Sequence, residues 1–387
     1  MKKKIAILGS TGSIGKCLLK IIEKDLKTFD VILLSANKNY RELFNQAKKF
    51  KVKNLIISDY ESYCKAKFIN KNKNFQIYNN FNKFSEIFKT KVDYSMSAIV
   101  GLAGLEPTIN IIKYSKTIAI ANKESIICGW NLIKKKINKY NVRFIPADSE
   151  HFSIWSSINS KKVKIDKVYL TASGGPFYKR KFSELENIQI SQALKHPTWK
   201  MGKKISIDSA TLINKIFEVI EASKIFDIEI KKIKIILHPS SYVHALIKFS
   251  NGLMNIIAHD TSMKIPIFNT LYWDKPKPLI TKKVNFTKLN NLNFINTSKI
   301  NFPLLDLIKR VPIKDSLFET VIVSANDCLV KLFLDKKIKY TDISKILLKI
   351  TNMMIFKKFK KKPPLKISDI LKTKDFTEKF INDFYLY

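Results

Sequence analysis

The amino-acid sequence predicts an α/β protein with an N-terminal Rossmann-like parallel-sheet domain, a central α/β catalytic domain and a small C-terminal helical domain. Three observations predict this fold class. The apolar run Ile5–Leu8 is followed by closely spaced glycines and then by a helical pattern. Short apolar runs and helical stretches continue to alternate through the first two thirds of the chain, which is typical of parallel strands joined by helices. Beyond residue 301 the apolar residues recur at helical spacing.

The composition is that of a globular chain with a large excess of positive charge. The 387 residues are 45% hydrophobic and have a formal net charge of +38, and this length is sufficient for two or three domains. The lysines are spread over nearly every segment, so we expect no dedicated nucleic-acid site. The four cysteines are far apart, which fits a reducing cytosol. No run approaches the ~20 apolar residues of a membrane span, so we expect a cytoplasmic protein without a membrane partner.

The first candidate site is the glycine loop Gly9-Ser10-Thr11-Gly12-Ser13-Ile14-Gly15, between the strand Ile5–Leu8 and a helix that starts near Leu18. Glycines in a strand–turn–helix context allow the backbone amides and the helix N-terminus to face a pyrophosphate. The spacing is GxxGxxG rather than GxGxxG, and its position favours dinucleotide binding.

The second predicted strand, Val31–Leu34, indicates which dinucleotide is bound. Binders of the unphosphorylated cofactor usually carry Asp or Glu after this strand. Here the chain continues with Ser35, Asn37 and Lys38, which favours a 2′-phosphate and therefore NADPH. The alternative is a polar loop with an incidental lysine.

Further strands are predicted at Leu55–Ile57, Tyr94–Ile99 and Thr117–Ile120, with a helix that opens at Gly101 to Gly104. The last of these strands runs into Ala121-Asn122-Lys123-Glu124-Ser125. Polar residues at the C-terminal end of a parallel strand lie where doubly wound sheets bind ligands. Asn122 is equally suited to cap the next helix, and the two roles are compatible.

An acidic pair, Asp148 and Glu150, follows the apolar run Val142 to Ile145. Two carboxylates one residue apart at the end of a strand are expected to project to the same side. Such a pair suits a hard divalent cation, which takes oxygen ligands and leaves positions open for substrate. The alternative is an ordinary loop with two solvated acids.

Two loops of the central region are candidates for substrate binding. The predicted strand Val168–Thr171 breaks at Ala172 to Phe177, where Ser173 is able to donate to a phosphate oxygen, although a plain turn would look similar. The segment 196–202 combines His196, a proline, Trp199, a methionine and Gly202 without helical or strand periodicity. We interpret it as a lid over bound substrate, with ordinary core packing as the alternative.

The next segment, Ile205 to Glu218, is predicted to begin a helix capped by Asp208 or Ser209. Asn214 and Glu218 are spaced i,i+4, and Lys215 and Glu218 i,i+3, so the three share one helix face. That face suits a phosphate near Asn214 and Lys215 and a metal at Glu218. The alternative is a surface Lys–Glu pair.

His238 and His244 lack a third zinc ligand at suitable spacing, and we reject a zinc site. The residues from Trp273 to about Lys299 are rich in Lys, Pro, Asn and Thr and are interpreted as a surface linker. The predicted domains are therefore 1–147 for NADPH, 148–274 for catalysis, 275–300 as a linker and 301–387 as the helical domain.

Six of these segments closely resemble those of the 1-deoxy-D-xylulose-5-phosphate reductoisomerases, NADPH-dependent enzymes of the non-mevalonate isoprenoid pathway. The segments are GSTGSIG at 9–15, ANKES at 121–125, DSEH at 148–151, SGGPF at 173–177, HPTWKMG at 196–202 and KISIDSAT with Asn, Lys and Glu at 204–218. They occur in the family's order and spacing from residue 5 to about 330.

The resemblance implies the residues of each subsite. The metal, Mg²⁺, Mn²⁺ or Co²⁺, would be bound by Asp148, Glu150 and Glu218, which with Lys123 form the catalytic set. The phosphate of the substrate would be bound by Ser173, Ser209, Asn214 and Lys215, and its carbon chain would be contacted by Lys123, Ser149, Glu150 and His196. Trp199 would be the aromatic residue of the lid. NADPH would be bound by Gly9, Thr11, Gly12, Ser13, Ile14, Lys38, Asn39, Asn122, Glu124 and Gly202. The resemblance also implies a homodimer.

The implied reaction converts 1-deoxy-D-xylulose 5-phosphate to 2-C-methyl-D-erythritol 4-phosphate by breaking and re-forming a carbon–carbon bond and then reducing an aldehyde with NADPH. A metal that polarises the carbonyl suits both steps, and a lid that excludes water suits the first. Two alternatives remain: a metal-independent NADPH dehydrogenase of similar plan, and a basic nucleic-acid-binding protein with a vestigial cofactor fold.

Four positions depart from the family pattern. Asn37 and Ile216 stand where glycine is usual, and Ser240 stands where Gln is common. The stretch from His259 to Lys264 replaces a typical GxPDMR run, with His259 at the glycine. None of the four is a predicted metal ligand, so we expect activity to survive.

Overall fold

The computed structural model describes residues 1–71, 74–158, 163–199 and 201–385, and it confirms the predicted α/β class. The described chain forms two compact units. The first unit comprises Met1–Ser125, Asn131–Phe152 and Met263–Ile280, and the second contains the remainder. The predicted division into domains at 147, 274 and 300 stays a prediction.

The helices are α1 (Ser13–Glu23), α2 (Tyr40–Phe50), α3 (Tyr60–Ile69), α4 (Phe84–Ile87), α5 (Leu105–Ile112), α6 (Lys123–Tyr140), α7 (Ser149–Ile158), α8 (Ile190–Ala193), α9 (Lys203–Ala210), α10 (Ile213–Phe226), α11 (Lys264–Leu271), α12 (Phe286–Asn290), α13 (Phe318–Leu334), α14 (Tyr340–Ile350), α15 (Met354–Lys357) and α16 (Ile367–Tyr385). No helix among the described residues is both long enough and apolar enough to cross a membrane.

A seven-stranded parallel sheet forms the centre of the first unit. Its strands are β1 (Lys3–Leu8), β2 (Phe29–Ala36), β3 (Asn54–Ile57), β4 (Gln76–Tyr78), β5 (Val92–Ser97), β6 (Ser115–Ile120) and β7 (Arg143–Pro146). Their order is β4-β3-β2-β1-β5-β6-β7, and every pair is parallel. The order reverses at β1, between β2 and β5. Ligands of such sheets bind at this switch point, beyond the carboxyl ends of the strands.

Local sequence signals explain the ends of the helices in the first unit. The side chains of Asn39, Asp59 and Asn122 each accept a hydrogen bond from a first-turn amide and so cap α2, α3 and α6. Asn141 ends α6 in the left-handed conformation, with φ 48°, which asparagine tolerates better than most residues. The prediction that Asn122 caps a helix is confirmed.

The first unit is completed by residues from much later in the chain. In α11 and just beyond it, Ile267, Leu271 and Tyr272 are buried in the same apolar core as strands β1 and β2. The Tyr272 hydroxyl donates to Asp25 at 2.8 Å. Residues 263–280 therefore supply part of this core, although they begin more than 115 residues after the end of β7.

The second unit contains a mixed five-stranded sheet. Its strands are β8 (Ile165–Ala172), β9 (Ile233–Leu237), β10 (Val243–Phe249), β11 (Met254–Ala258) and β12 (Ile295–Asn296), in the order β11-β10-β8-β9-β12. β8 and β9 are parallel, and the other pairs are antiparallel. The predicted strand Val168–Thr171 is confirmed as part of β8.

One local prediction for the second unit is wrong, and another is incomplete. Asp208 and Ser209 do not cap a helix, because α9 already starts at Lys203 and both residues lie in its last turn. Helix α10 starts instead after Leu212, whose φ is +65°. The interpretation of 273–299 as a plain linker is also incomplete, because Ile295 and Asn296 form β12 on the edge of the second sheet.

Candidate active site

The glycine loop in the first unit has the close packing that dinucleotide binding requires. Gly9 has φ +83°, and a Cβ there would lie 2.7 Å from the carbonyl oxygen of Ala98. A Cβ on Gly15 would lie 2.5 Å from the carbonyl oxygen of Gly9, so α1 packs directly against the turn. No side chain caps α1 at Gly12. Its first-turn amides are thus the groups that an anion would meet.

The residues after β2 occupy the neighbouring strand end. Lys38 is 76% exposed in its side chain and lies 4.0 Å from Asp59, a weak surface contact. Asn39 uses its side chain to cap α2. Asn37, at the usual glycine position, donates to the Ser58 hydroxyl at 2.9 Å. Of these residues, Lys38 is the exposed cation at the end of β2.

Asn122 holds two strand ends together. Its amide nitrogen donates to the carbonyl oxygen of Gly101 at 2.7 Å and also to that of Ile99, and its oxygen accepts from the Ser125 amide at 2.6 Å. A Cβ on Gly104 would meet the same amide nitrogen at 2.7 Å. The side chain therefore fixes the shape of the loop after β5 as well as the start of α6.

Lys123 and Asp148 form a nearly buried ion pair at the carboxyl ends of two adjacent strands. Lys123 opens α6 after β6, and Asp148 follows β7, whose Pro146 pairs with Ile120 of β6. The Lys123 ammonium lies 3.2 Å from the Asp148 carboxylate. Burial alone would raise the pKa of Asp148, but the charge of Lys123 and the His151 side chain hold it well below the usual value.

The acidic pair does not continue an extended strand as predicted. Helix α7 begins at Ser149, so Glu150 lies in its first turn. The Asp148 carboxylate accepts a hydrogen bond from the Glu150 amide at 3.3 Å, and the Ser149 hydroxyl donates to the Glu150 carboxylate. Carboxylates around a helix N-terminus are stabilised by its dipole and free amides, which is why two acids are tolerated side by side here.

In the second unit Asn214, Lys215 and Glu218 lie together on one face of α10, as predicted. The Asn214 amide donates to one carboxylate oxygen of Glu218 at 2.6 Å, and the Lys215 ammonium donates to the other at 2.5 Å. Lys215 and Glu218 are almost fully buried, so the alternative of a solvated surface pair is wrong. Ile216, at the usual glycine position, is fully buried and packs into the core.

Ser173, His196 and Ser209 form a second cluster of the same unit. The Nε2 atom of His196 lies 2.9 Å from the Ser173 hydroxyl and 3.1 Å from the Ser209 hydroxyl. Gly175 allows this approach: its φ is +66°, and a Cβ there would lie 2.9 Å from the Cα of Ala210. The Ser173 loop is therefore more than the plain turn left open by the sequence.

The tautomer of His196 follows from its partners. The backbone amides of Thr198 and Trp199 donate to Nδ1 at 3.3 and 2.9 Å. Nδ1 therefore carries no proton in the neutral ring, and Nε2 carries it toward the two hydroxyls. Burial lowers the pKa of His196 from 6.5 to about 4, so the ring is neutral near pH 7.

The remaining predicted residues are placed as follows. Glu124 is buried in the first turn of α6, and Gly202 precedes α9, where an added Cβ would meet no described atom within 4 Å. Trp199 is half-buried, and Lys200 of the predicted lid lies outside the described residues.

The sequence did not predict the hydrogen bonds that Asp208 makes within α9 and with α13. Asp208 is buried and accepts from the Lys204 ammonium at 2.9 Å and from the Asn326 amide of α13 at 2.8 Å. Lys204 also lies 3.0 Å from Asp327. The i,i+4 spacing of Lys204 and Asp208 was an available signal. The contact between Asp208 and Asn326 of α13 could not be read from the sequence, because the two residues are more than 100 positions apart.

The parallel seven-stranded sheet, with a glycine loop after its first strand, defines the class of Rossmann-type, nucleotide-dependent oxidoreductases. A family model described as 1-deoxy-D-xylulose 5-phosphate reductoisomerase matches residues 5–129. Two models of the C-terminal domain of the same enzyme match residues 144–226 and 260–380. The chain belongs to the 1-deoxy-D-xylulose 5-phosphate reductoisomerase family.

Individual relatives agree with the family models. The chain is 54% identical over 377 residues to the 1-deoxy-D-xylulose 5-phosphate reductoisomerase of Pelagibacter ubique (strain HTCC1062), a match that covers 97% of each chain. A solved structure of 1-deoxy-D-xylulose 5-phosphate reductoisomerase from Zymomonas mobilis in complex with NADPH superimposes with a TM-score of 0.86 at 31% identity over 98% of each chain. A DOX-P reductoisomerase in complex with NADPH, fosmidomycin and magnesium gives 0.90 at 28% identity, also over 98% of each.

Proposed function

We propose that this protein catalyses the NADPH-dependent and divalent-metal-dependent conversion of 1-deoxy-D-xylulose 5-phosphate to 2-C-methyl-D-erythritol 4-phosphate. The observation that carries the proposal is the pairing of Lys123 with Asp148 at the carboxyl ends of β6 and β7. This is the ligand-binding edge of a parallel sheet, in a chain that matches the reductoisomerases over nearly its whole length.

The acidic residues fit a divalent cation by their chemistry. Asp148, Glu150 and Glu218 would hold it through carboxylate oxygens, which Mg²⁺ and Mn²⁺ prefer. Asp148 and Glu218 each have an ammonium group within 3.2 Å. These ammonium groups offset the charge of the buried carboxylates, and the fit to a divalent cation rests on the oxygen donors of the three acids. When bound, the metal supplies Lewis acidity at the substrate oxygens.

The glycine loop fits a dinucleotide, because Gly9 and Gly15 leave no room for a Cβ and α1 presents uncapped amides. Lys38 would contact the 2′-phosphate, which favours NADPH over NADH. The nicotinamide supplies the hydride, and the protein supplies its orientation.

The second unit supplies groups for the phosphate of the substrate. The neutral His196 ring directs an N–H toward the hydroxyls of Ser173 and Ser209, and all three groups are able to donate to a phosphate oxygen. Lys215 would add a positive charge and Asn214 an amide donor. Because both already bond to Glu218, phosphate binding and the orientation of Glu218 are coupled.

Lys123 has a positioning role and a chemical role in this proposal. Its ammonium holds the Asp148 carboxylate at 3.2 Å, which orients that carboxylate for the cation. The same Nζ has three protons to donate, so it is able to hydrogen-bond to a substrate hydroxyl or carbonyl oxygen. Ser149 and Glu150, at the start of α7, would contact the carbon chain beside it.

The test is a spectrophotometric assay of NADPH oxidation in the presence of 1-deoxy-D-xylulose 5-phosphate, with and without Mn²⁺. We expect turnover that is abolished by EDTA and restored by Mn²⁺. Activity that is unchanged after thorough EDTA treatment would favour a metal-independent dehydrogenase. No turnover with any divalent metal would refute the proposal.

We further propose that the enzyme acts in the cytosol as a homodimer. The four cysteines all lie in the described part of the chain and form no disulfide bond there, which suits a reducing compartment, and the family resemblance implies the dimer. Light scattering coupled to size-exclusion chromatography tests the second point, with about twice the 44.8 kDa chain mass expected.

A further inference from the structure

The lid segment, here residues His196–Trp199, contacts the turn between β9 and β10. The Thr198 hydroxyl lies 3.1 Å from the Ser241 hydroxyl. The Trp199 indole meets the His244 ring edge to face, with ring centroids 6.2 Å apart and planes inclined by 77°. Such contacts between aromatic rings are favourable and directional. The half-buried Trp199 is thus oriented by a neighbouring ring.

His244 in turn stacks on a second imidazole. Its ring lies parallel to that of His259, with centroids 3.6 Å apart and planes inclined by 15°. His244 falls at an irregularity in the pairing of β10 with β11, between Val243 and Ala245. An irregularity of this kind redirects a side chain. We call His244 and His259 the histidine stack.

Backbone contacts fix both rings of the histidine stack. His244 donates from Nε2 to the carbonyl oxygen of His259 at 3.2 Å, and His259 donates from Nδ1 to the carbonyl oxygen of Asp260 at 2.8 Å. The buried Nε2 atom of His259 has no hydrogen-bond partner within the part of the chain that the structure describes. Burial also lowers the pKa of His259. His259 thus contributes a neutral ring face.

We propose that His259 is a positioning residue for the lid: by stacking on His244 it holds the ring that orients Trp199. His259 stands where the family pattern has glycine, so this chain carries a second ring that the pattern lacks. This inference rests on the proposed function, because it assigns His259 an effect on the binding of 1-deoxy-D-xylulose 5-phosphate. His259 itself acts only through His244.

The test compares full-length variants that remove or restore the stacked ring. His259→Ala should raise the KM for 1-deoxy-D-xylulose 5-phosphate roughly 3- to 10-fold, the range expected for one aromatic contact, and change kcat less than about 2-fold. His259→Phe keeps a flat ring and should restore KM to within about 2-fold. If His259→Ala does not fold, His259→Leu replaces it, because it keeps bulk without an aromatic face.

His238→Ala is the matched control. His238 is buried and, like His259, is stacked on another ring, that of Phe294 with centroids 4.9 Å apart, and it precedes the same turn. The His238→Ala variant should have a KM for the substrate within about 2-fold of the wild-type value. Equal KM values for wild type and His259→Ala, an equal effect of His238→Ala, or a failure of His259→Phe to restore KM would each overturn the inference.

A second readout does not need activity. Acrylamide quenching of Trp199 fluorescence is obtained as the difference between each protein and its Trp199→Phe counterpart, because the chain has four tryptophans. Quenching of Trp199 should increase in His259→Ala and should fall back to the wild-type value in His259→Phe. If wild type lacks turnover but this pattern holds, the proposed function fails while the stack's role stands. If quenching is the same in all variants, the positioning role fails.

Discussion

Gly175 gives the sharpest test of how the Ser173 loop is held against α9. In Gly175→Ala the new Cβ would lie 2.9 Å from the Cα of Ala210 and 3.1 Å from the carbonyl oxygen of Ser209, both backbone atoms. The left-handed φ of +66° costs an alanine about 1–2 kcal/mol. Overpacking against backbone adds about 1–3 kcal/mol, so the expected loss of stability is roughly 2–5 kcal/mol.

Gly252→Ala separates the two contributions. Gly252 belongs to the same unit and has φ +86°, but a Cβ there meets no atom of the described residues within 4 Å. Gly252→Ala should therefore lose only the stability that the left-handed φ costs an alanine, about 1–2 kcal/mol. In thermal unfolding, Gly175→Ala should therefore melt about 2–12 °C below Gly252→Ala. It should also raise the KM for substrate, because the loop that carries Ser173 is displaced. Equal melting temperatures and an unchanged KM would refute the packing argument.

Three further predictions concern the charged and titrating groups. Glu218→Gln and Asp148→Asn should each lower turnover in the NADPH assay by several orders of magnitude with unchanged circular dichroism; near-normal rates would contradict their role as metal ligands. Lys38→Ala should raise the KM for NADPH more than that for NADH, and equal effects would contradict a 2′-phosphate contact. Since the pKa of His196 falls from 6.5 to about 4 on folding, its neutral ring contributes stability above pH 6.5, which is lost as the pH falls toward 4. Urea unfolding midpoints should therefore fall more between pH 6.5 and 4 in wild type than in His196→Asn, which retains only the loss from other buried groups such as His259.

Much of the first unit could be predicted because its signals are local. The strand before Gly9, the glycine loop and the Asn122 cap each follow from a few adjacent residues, and all appear in the structure. The shared face of Asn214, Lys215 and Glu218 follows from helical spacing alone. In these cases backbone geometry sets which side chains meet.

Other features depend on contacts between distant residues. The start of α9 at Lys203 is favoured by the bonds of Asp208 with Lys204 and Asn326, so Asp208 is a buried anchor and not a cap. Likewise, β12 forms because Ile295 pairs with Leu237 of β9. No residue pattern within 273–299 indicates this strand. The sequence also did not indicate that α7 starts at Ser149, because the two closely spaced acids Asp148 and Glu150 fit a strand end equally well.

The late segment 263–280 has a consequence for biosynthesis. When β7 has left the ribosome, the first unit still lacks Ile267, Leu271 and Tyr272 of its core. At common translation rates the missing piece arrives on the order of ten seconds later. Until then an incomplete sheet domain with exposed apolar surface must persist, which makes nascent chains of this length natural clients for chaperones.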